Sequence, residues 1–365
     1  MKDDLGWTPG PECAPASAEP PAPGARRPGP PGPLGALRVV AIGGGTGLPA
    51  VLAGLKRTLL STEPRGAPPD RERLTAIVTV ADDGGSSGRL RRAYSVLAPG
   101  DIRNCLLALS SHGVMSRLFG FRFAGDGDVG GHSLGNLILT ALSLVNGDFA
   151  SAVERAEEIL AVRGRVLAST TRSVSLVGEL EDGSRVRGES AIGRANGRVR
   201  RLRLEPEDAP LLPQARDALL SADLVVIGPG SLYTSLLPPL LLPGLAEAVA
   251  KSGARVVLIM NVMTERESMG LSAAGHVEAL RRHAKQLPIH DVLLNTTPVP
   301  DRVLGRYAAL GAFPVACDAQ RIAALGCRPV KRRLLAAARK VRHDPRAVAA
   351  ALLELVACDG REAPL

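Results

Sequence analysis

The stretch "VTVADDGGSSGRLRR", residues 78–92, sets two adjacent carboxylates, Asp82 and Asp83, ahead of two glycines, the hydroxyls of Ser86 and Ser87, and three arginines. An acid just past an apolar run is where dinucleotide-binding folds accept a ribose hydroxyl. Adjacent carboxylates can instead hold Mg²⁺ through water, and the glycines and serines after them can form an anion nest. The plainer alternative is a solvated loop in which Asp82 caps a turn. A second stretch, "IGGGTGL" (42–48), puts Gly43, Gly44, Gly45 and Thr46 between an apolar run and a helical pattern. Glycines let the backbone approach an anion, and a helix N-terminus offers free N–H groups and positive potential. Leu48 stands where a dinucleotide fingerprint has its third glycine, so phosphate binding and an ordinary tight turn both stay open.

Four further turns carry polar groups. In "APGDIRNCLLALS" (98–110), Asp101 reads as an N-cap, with Arg103 and Asn104 in the first helical turn. Arg103 opposes the helix dipole there, which an anion in front of it would relieve; an ordinary exposed arginine is the alternative. "GGHSLGNLILTAL" (130–142) imitates a serine nucleophile elbow, but the residues before it read as loop, not strand. It reads instead as a glycine-rich helix start that presents His132, Ser133 and Asn136 to a ligand. "VVIGPGSLYTSLLP" (225–238) joins a strand through Gly228 and Gly230 to the hydroxyls of Ser231, Tyr233, Thr234 and Ser235. "MNVMTERES" (260–268) places Asn261 and Thr264 past a strand end, with Glu265 and Glu267 nearby. Several such turns ending apolar strands are the pattern of a ligand crevice at the carboxyl edge of a sheet. The basic "KRRLLAAARKVRHDPRAV" reads as a partly helical, solvated face, and His343 within it as a surface residue.

The elements that must position these groups are apolar, β-branched runs ("LRVVAI", "TAIVTV", "DLVVIG", "ARVVLIMN", "DVLLN") alternating with helical patterns. That alternation predicts an α/β, Rossmann-like fold: a mostly parallel sheet with helices on both faces. Residues 165–206 alternate more like antiparallel strands, with a turn at Asp182–Gly183, and predict a small antiparallel β insertion. The expected organisation is a disordered Pro/Gly-rich tail over 1–36 and one Rossmann-like domain over 37–330. A loop insertion falls at 61–73, and a basic helical segment over 331–365 packs on the same domain.

Composition narrows the function classes. The chain has 365 residues and 45% hydrophobic content, but aromatics make only 2%, which argues against a base-stacking nucleic-acid surface. The formal charge of +9 fits an arginine-rich composition as well as a polyanion patch. Five cysteines with no C-x-x-C fit reduced thiols of a cytosol better than a disulfide frame or zinc site. No N-terminal apolar segment of the secretory type is present, so a cytoplasmic location is expected. The uncharged stretch 224–246 is long enough to span a bilayer, but four prolines interrupt it, so a strand, a loop and a buried helix are expected instead of membrane insertion. A two-fold homodimer is expected as the commonest soluble assembly.

Taken together, "VVAIGGGTGLPAVLAGLK", "TAIVTVADDGGSSGRLR", "PGDIRNCLLALS", "GHSLGNLIL", "VIGPGSLYTSLLP" and "NVMTERES" closely resemble the YvcK-type gluconeogenesis factors, in order, from about Leu37 to near the C-terminus. The wider superfamily includes CofD, a 2-phospho-L-lactate transferase of deazaflavin cofactor synthesis. The resemblance implies a nucleotide-sugar ligand, UDP-N-acetylglucosamine, and a role in central carbon use, cell-wall precursor supply and cell shape. It brings no catalytic reaction with it. It implies ligand contacts at Thr46, Asp82, Asp83, Asn104, Asn136, Ser231 and Asn261, and by shorter matches at Tyr307 and Arg342. The alternative is CofD-like transfer of a phospholactyl group from a nucleotide-activated donor to a deazaflavin, with Mg²⁺ on Asp82 and Asp83. Similar proteins often read Arg-His-Asp-Thr where this chain has Pro345, so control by phosphorylation is not expected there.

Overall fold

The structure, a computed structural model, describes residues 35–60, 70–111, 113–195, 197–336 and 340–359. The tail expected over 1–36 lies outside the described residues up to position 34, as does the 61–69 part of the loop insertion.

Along the chain, β1 (Val39–Gly43) leads into α1 (Gly47–Leu59), and β2 (Leu74–Val78) into α2 (Gly85–Tyr94) and α3 (Gly100–Leu109). Helices α4 (Gly113–Gly120), α5 (Leu134–Asn146) and α6 (Phe149–Ile159) precede β3 (Arg165–Ala168). Strands β4 (Ser175–Leu180), β5 (Arg185–Arg187) and β6 (Val199–Glu205) follow, with α7 (Glu189–Ile192) between the last two. Next come α8 (Pro213–Leu220), β7 (Leu224–Ile227), α9 (Leu237–Leu240), α10 (Leu245–Ser252), β8 (Arg255–Ile259) and α11 (Ala273–His283). The chain ends with β9 (Asp291–Asn295), α12 (Asp301–Ala308), α13 (Ala319–Ala324), β10 (Arg328–Arg332) and α14 (Pro345–Asp359).

Seven strands form one sheet in the order β10-β9-β8-β7-β1-β2-β3, and each neighbouring pair is parallel. The runs of β1, β2, β7 and β8 are buried at every position. Helices cover both faces, so these strands are continuously apolar and do not alternate. The chain builds outward from β1 to β2 and β3, then returns to place β7 on the other side of β1. The turns after β1 and β7 therefore lead away from each other and open a crevice between them.

Two boundaries differ from the sequence expectation. Residues 165–168 belong to the main sheet, since β3 pairs in parallel with β2. The separate antiparallel sheet, ordered β5-β4-β6, starts only at Ser175. A four-residue edge strand gives too short a pattern to distinguish its sheet by alternation. The basic C-terminal stretch is also not helical from 331: β10 extends the sheet beside β9, and helix begins at Pro345. There α14 packs on α1, with the Pro345 carbonyl against Gly54.

The uncharged stretch 224–246 resolves into β7, a π-helical turn (Leu232–Leu236) and the short α9, followed by α10. Among the described residues no single helix is long and apolar enough to cross a membrane. The segments Leu232–Leu240 and Leu245–Ser252 meet at a bend of 72°. Leu232, Leu236, Leu237, Leu240 and Leu245 within them are buried in the core.

Candidate functional site

Three strand-to-helix turns meet where the strand order reverses. Gly45–Gly47 after β1, Pro229–Ser231 after β7 and Asn261–Glu265 after β8 line a cavity of about 270 Å³. Tyr307 of α12 and the segment Val341–His343 complete its wall, with Ser235 of the π-helical turn.

The β1–α1 turn needs glycine for two reasons. Gly45 has φ +65°, a left-handed conformation that side chains disfavour. A Cβ on Gly44 would lie 2.5 Å from Thr79 Cγ2 and 2.6 Å from Asp101 Oδ2. Helix α1 then starts without a side-chain cap from Thr46 and without an acid in its first turn. Its leading N–H groups and positive end are thus turned toward the cavity, an arrangement suited to an anion. Arg342, exposed on the cavity wall, adds a cation.

The other turns brace this geometry. Asn261 Nδ2 donates to the Gly230 carbonyl at 2.7 Å, and Asn261 Oδ1 accepts the Gly230 N–H at 3.1 Å, clamping the β8 turn to the β7 turn. Tyr307 Oη accepts the Val341 N–H at 3.1 Å and so fixes the segment that carries Arg342. Gly43 and Gly228 lie behind the cavity, where a Cβ on Gly43 would be 3.8 Å from Gly228 Cα.

A second group of the sequence-predicted residues sits one strand over, beyond β2, and does not line this cavity. Ser86 Oγ and His132 Nδ1 are 2.9 Å apart, and Asn136 Nδ2 donates to Ser86 Oγ at 3.0 Å. Arg103 donates to Asn136 Oδ1 at 2.9 Å, to Asn104 Oδ1 at 2.7 Å and to Ser133 Oγ. Both terminal guanidinium nitrogens are held by these side chains and the residue is buried, so Arg103 is not an ordinary exposed arginine. Ser87, also buried, backs onto Gly100. Asp101 does not cap α3, which begins at Gly100 after Pro99. Its Oδ2 instead accepts the Gly45 N–H at 2.8 Å and joins the two groups.

Asp82 Oδ1 accepts the Gly84 N–H at 2.9 Å, whereas Asp83 Oδ1 reaches the Ser190 N–H of the β insertion at 2.9 Å. The doublet therefore splits between two loops. Among the described residues no group of three or more His, Cys, Asp or Glu side chains is placed to hold a metal ion.

Negative charge is concentrated on this side. Burial pushes the Asp101 carboxyl up to about 6; Asp82 adds to the rise and the Gly45 N–H opposes it. Glu189 of α7 is pushed up to about 7 by burial and by Asp82 and Asp83. Glu267 rises to about 8 through burial and the neighbouring Glu265. Glu189 was not legible as a site residue, because it lies in the β insertion and carries no local motif. His343 is buried beside the cavity, not on the surface, and burial lowers it to about 4. Ser235 stood in the hydroxyl cluster after β7, but nothing in the spacing singled it out. A larger groove of about 960 Å³, between β6 and the ends of α9 and α11, is bordered by Arg200, Arg201, Arg203 and Arg282 and contains none of the motif residues.

Comparison with known proteins agrees with this architecture. Residues 39–335 match the family described as 2-phospho-L-lactate transferase CofD. The chain is 43% identical to a gluconeogenesis factor of Halalkalibacterium halodurans over 319 residues, covering 87% of this chain and 95% of that protein. It is 44% identical to the gluconeogenesis factor of Bacillus subtilis over 322 residues, covering 87% and 98%. A crystal structure of a UPF0052-family protein from Bacillus halodurans superposes with a TM-score of 0.80 at 42% identity, covering 87% of this chain and 99% of that one. With the matched residues running from β1 to just past β10, the chain belongs to the CofD family and is similar along most of its length to the gluconeogenesis factors.

Proposed function

We propose that this protein is a nucleotide-sugar-binding regulator whose ligand is UDP-N-acetylglucosamine, acting in the cytoplasm at the junction of central carbon use, cell-wall precursor supply and cell shape. The observation that carries this reading is the uncapped N-terminus of α1, opening with Arg342 on a cavity at the sheet's switch point. A diphosphate is the ligand chemistry that both features favour. At about 270 Å³ the cavity holds one end of such a ligand. In this reading the remainder extends toward Asp82, whose carboxylate accepts hydrogen bonds from the ligand's hydroxyls. Asn261 and Tyr307 act mainly by holding the turns, and Ser231 and Ser235 supply hydroxyls. The unpaired thiols of Cys105, Cys317 and Cys327 are in keeping with a reducing compartment.

Isothermal titration calorimetry with UDP-N-acetylglucosamine tests the reading. Micromolar affinity, about −8 kcal/mol, is expected; no heat up to millimolar ligand contradicts it. The family description motivates one companion assay, with a nucleotide-activated phospholactate, a deazaflavin acceptor and Mg²⁺. Turnover there would replace the regulator by a transferase.

A further inference from the structure

Strand β6 is an edge strand of the small antiparallel sheet, and its outer edge opens on the larger groove of about 960 Å³. The ladder fixes which of its backbone groups face outward. In an antiparallel sheet the N–H and C=O of one residue point to the same side. The Leu176 carbonyl accepts the Gly188 N–H at 2.8 Å, so Leu176 is bonded toward β5. Leu204 lies opposite Leu176 and therefore turns its own N–H and carbonyl away from β4, toward the groove. Among the described residues no hydrogen bond meets either group. Leu202, on the same edge, donates its N–H to His283 Nε2 at 2.9 Å, so the His283 ring closes one end of the open edge.

Cations come from both walls. Arg200, Arg201 and Arg203 stand on β6, with Arg282 near the end of α11 and Lys285 just past it. Arg200 pairs with Glu179 and Arg203 with Glu207, whereas Arg201, Arg282 and Lys285 have no ion pair among the described residues. Charges on an edge strand alone would serve to keep other strands away. Here the facing wall repeats the charge, and Leu241 and Ala246, both half-buried, give the trough an apolar side. An open backbone edge, an apolar side and unpaired cations suit an extended acidic peptide. Main-chain hydrogen bonds supply affinity there, and alternate side chains supply selectivity. RNA matches less well, because no Phe, Tyr or Trp lines the groove for a base to stack on.

We propose that this groove docks an extended, acidic segment of a partner protein, which adds to β6 at Leu204 and sets carboxylates against Arg201, Arg282 and Lys285. The groove and the cavity between β1 and β7 share no lining residue, so docking leaves the ligand site open.

Fluorescence anisotropy of the full chain with a labelled dodecapeptide of alternating Glu and Val tests the proposal. Saturable binding is expected, and Arg201→Glu with Arg282→Glu is expected to weaken it at least about tenfold. Both arginines are exposed, so the variant keeps the circular dichroism spectrum and melting temperature of wild type. Two further peptides, N-methylated at every Glu or at every Val, keep the charge and test the backbone edge. One of them is expected to lose binding at least about tenfold while the other keeps it, because only alternate amides face β6. No binding at millimolar peptide, equal affinity for wild type and the arginine variant, or equal affinity of the two N-methylated forms overturns the proposal. So does displacement of the peptide by decauridylate at a lower concentration than by unlabelled peptide.

Discussion

Asp101 Oδ2 accepts the N–H of Gly45 at 2.8 Å, tying the first turn of α3 to the glycine turn that opens α1. The bond couples the acidic network beyond β2 to the cavity between β1 and β7. It also explains why Gly44 has no room for a side chain.

Gly44→Ala therefore disturbs both sides of that bond. A methyl group there overlaps Thr79 and the Asp101 carboxylate. A loss of about 1–3 kcal/mol in chemical denaturation is expected, with weaker ligand binding in calorimetry. Stability and affinity equal to wild type would show that the turn tolerates a side chain.

Arg342→Ala tests the cation on the cavity wall. Losing a charge-assisted contact to phosphate lowers affinity roughly 10- to 100-fold. Arg342 is exposed, so its melting temperature stays close to wild type. Unchanged affinity would remove Arg342 from the ligand's reach.

Tyr307→Phe removes the acceptor of the Val341 N–H and leaves the ring. A stability loss of about 0.5–1.5 kcal/mol is expected. Affinity falls as well, because Arg342 follows Val341 on the released segment. Should affinity fall while stability and the amide exchange of Val341 stay unchanged, Tyr307 would instead touch the ligand directly.

Asp291 lies at 0% exposure and accepts from Arg255 at 2.6 and 3.2 Å and from Arg328 at 2.6 Å. Asp291→Ala removes the buried carboxylate to which Arg255 and Arg328 both donate. Destabilisation of about 3–5 kcal/mol is expected. Asp291 opens β9, whereas the cavity lies past the carboxyl ends of β1, β7 and β8, so the folded variant should still bind ligand. A change under 1 kcal/mol would mean that water replaces the carboxylate.

Glu267 carries a pH signature. Its folded value, about 8, lies above the ordinary 4.5, so the folded chain keeps a proton that the unfolded chain has released. The favourable contribution is fully present below about pH 4.5 and is lost as pH rises through about 8. Glu267→Gln should flatten this part of the fall in melting temperature between pH 5 and pH 8. Parallel wild-type and variant profiles would contradict the assignment.

The architecture was legible because parallel strands buried on both faces leave continuous apolar runs, and each glycine turn announced itself after one. The cavity residues Gly45, Thr46, Gly230, Ser231, Asn261, Tyr307 and Arg342 do come together. What spacing could not supply was strand order. That order places β7, not β2, across the crevice from β1, and so puts the Asp82–Asp83 doublet one strand away from the cavity. The alternative of an ordinary exposed arginine at Arg103 stayed open because a helix start hides what packs against it from another helix. His343 looked like a surface residue because its burial depends on a fold-back of the chain after β10.

A crystal soaked with UDP-N-acetylglucosamine tests the central claim most directly. The account predicts the diphosphate at the N-terminus of α1, within hydrogen-bond reach of the Thr46 or Gly47 amide, with Arg342 turned onto it. Ligand density in the basic groove beside β6, or over Asp82 and Asp83 with the β1–β7 crevice empty, would contradict it.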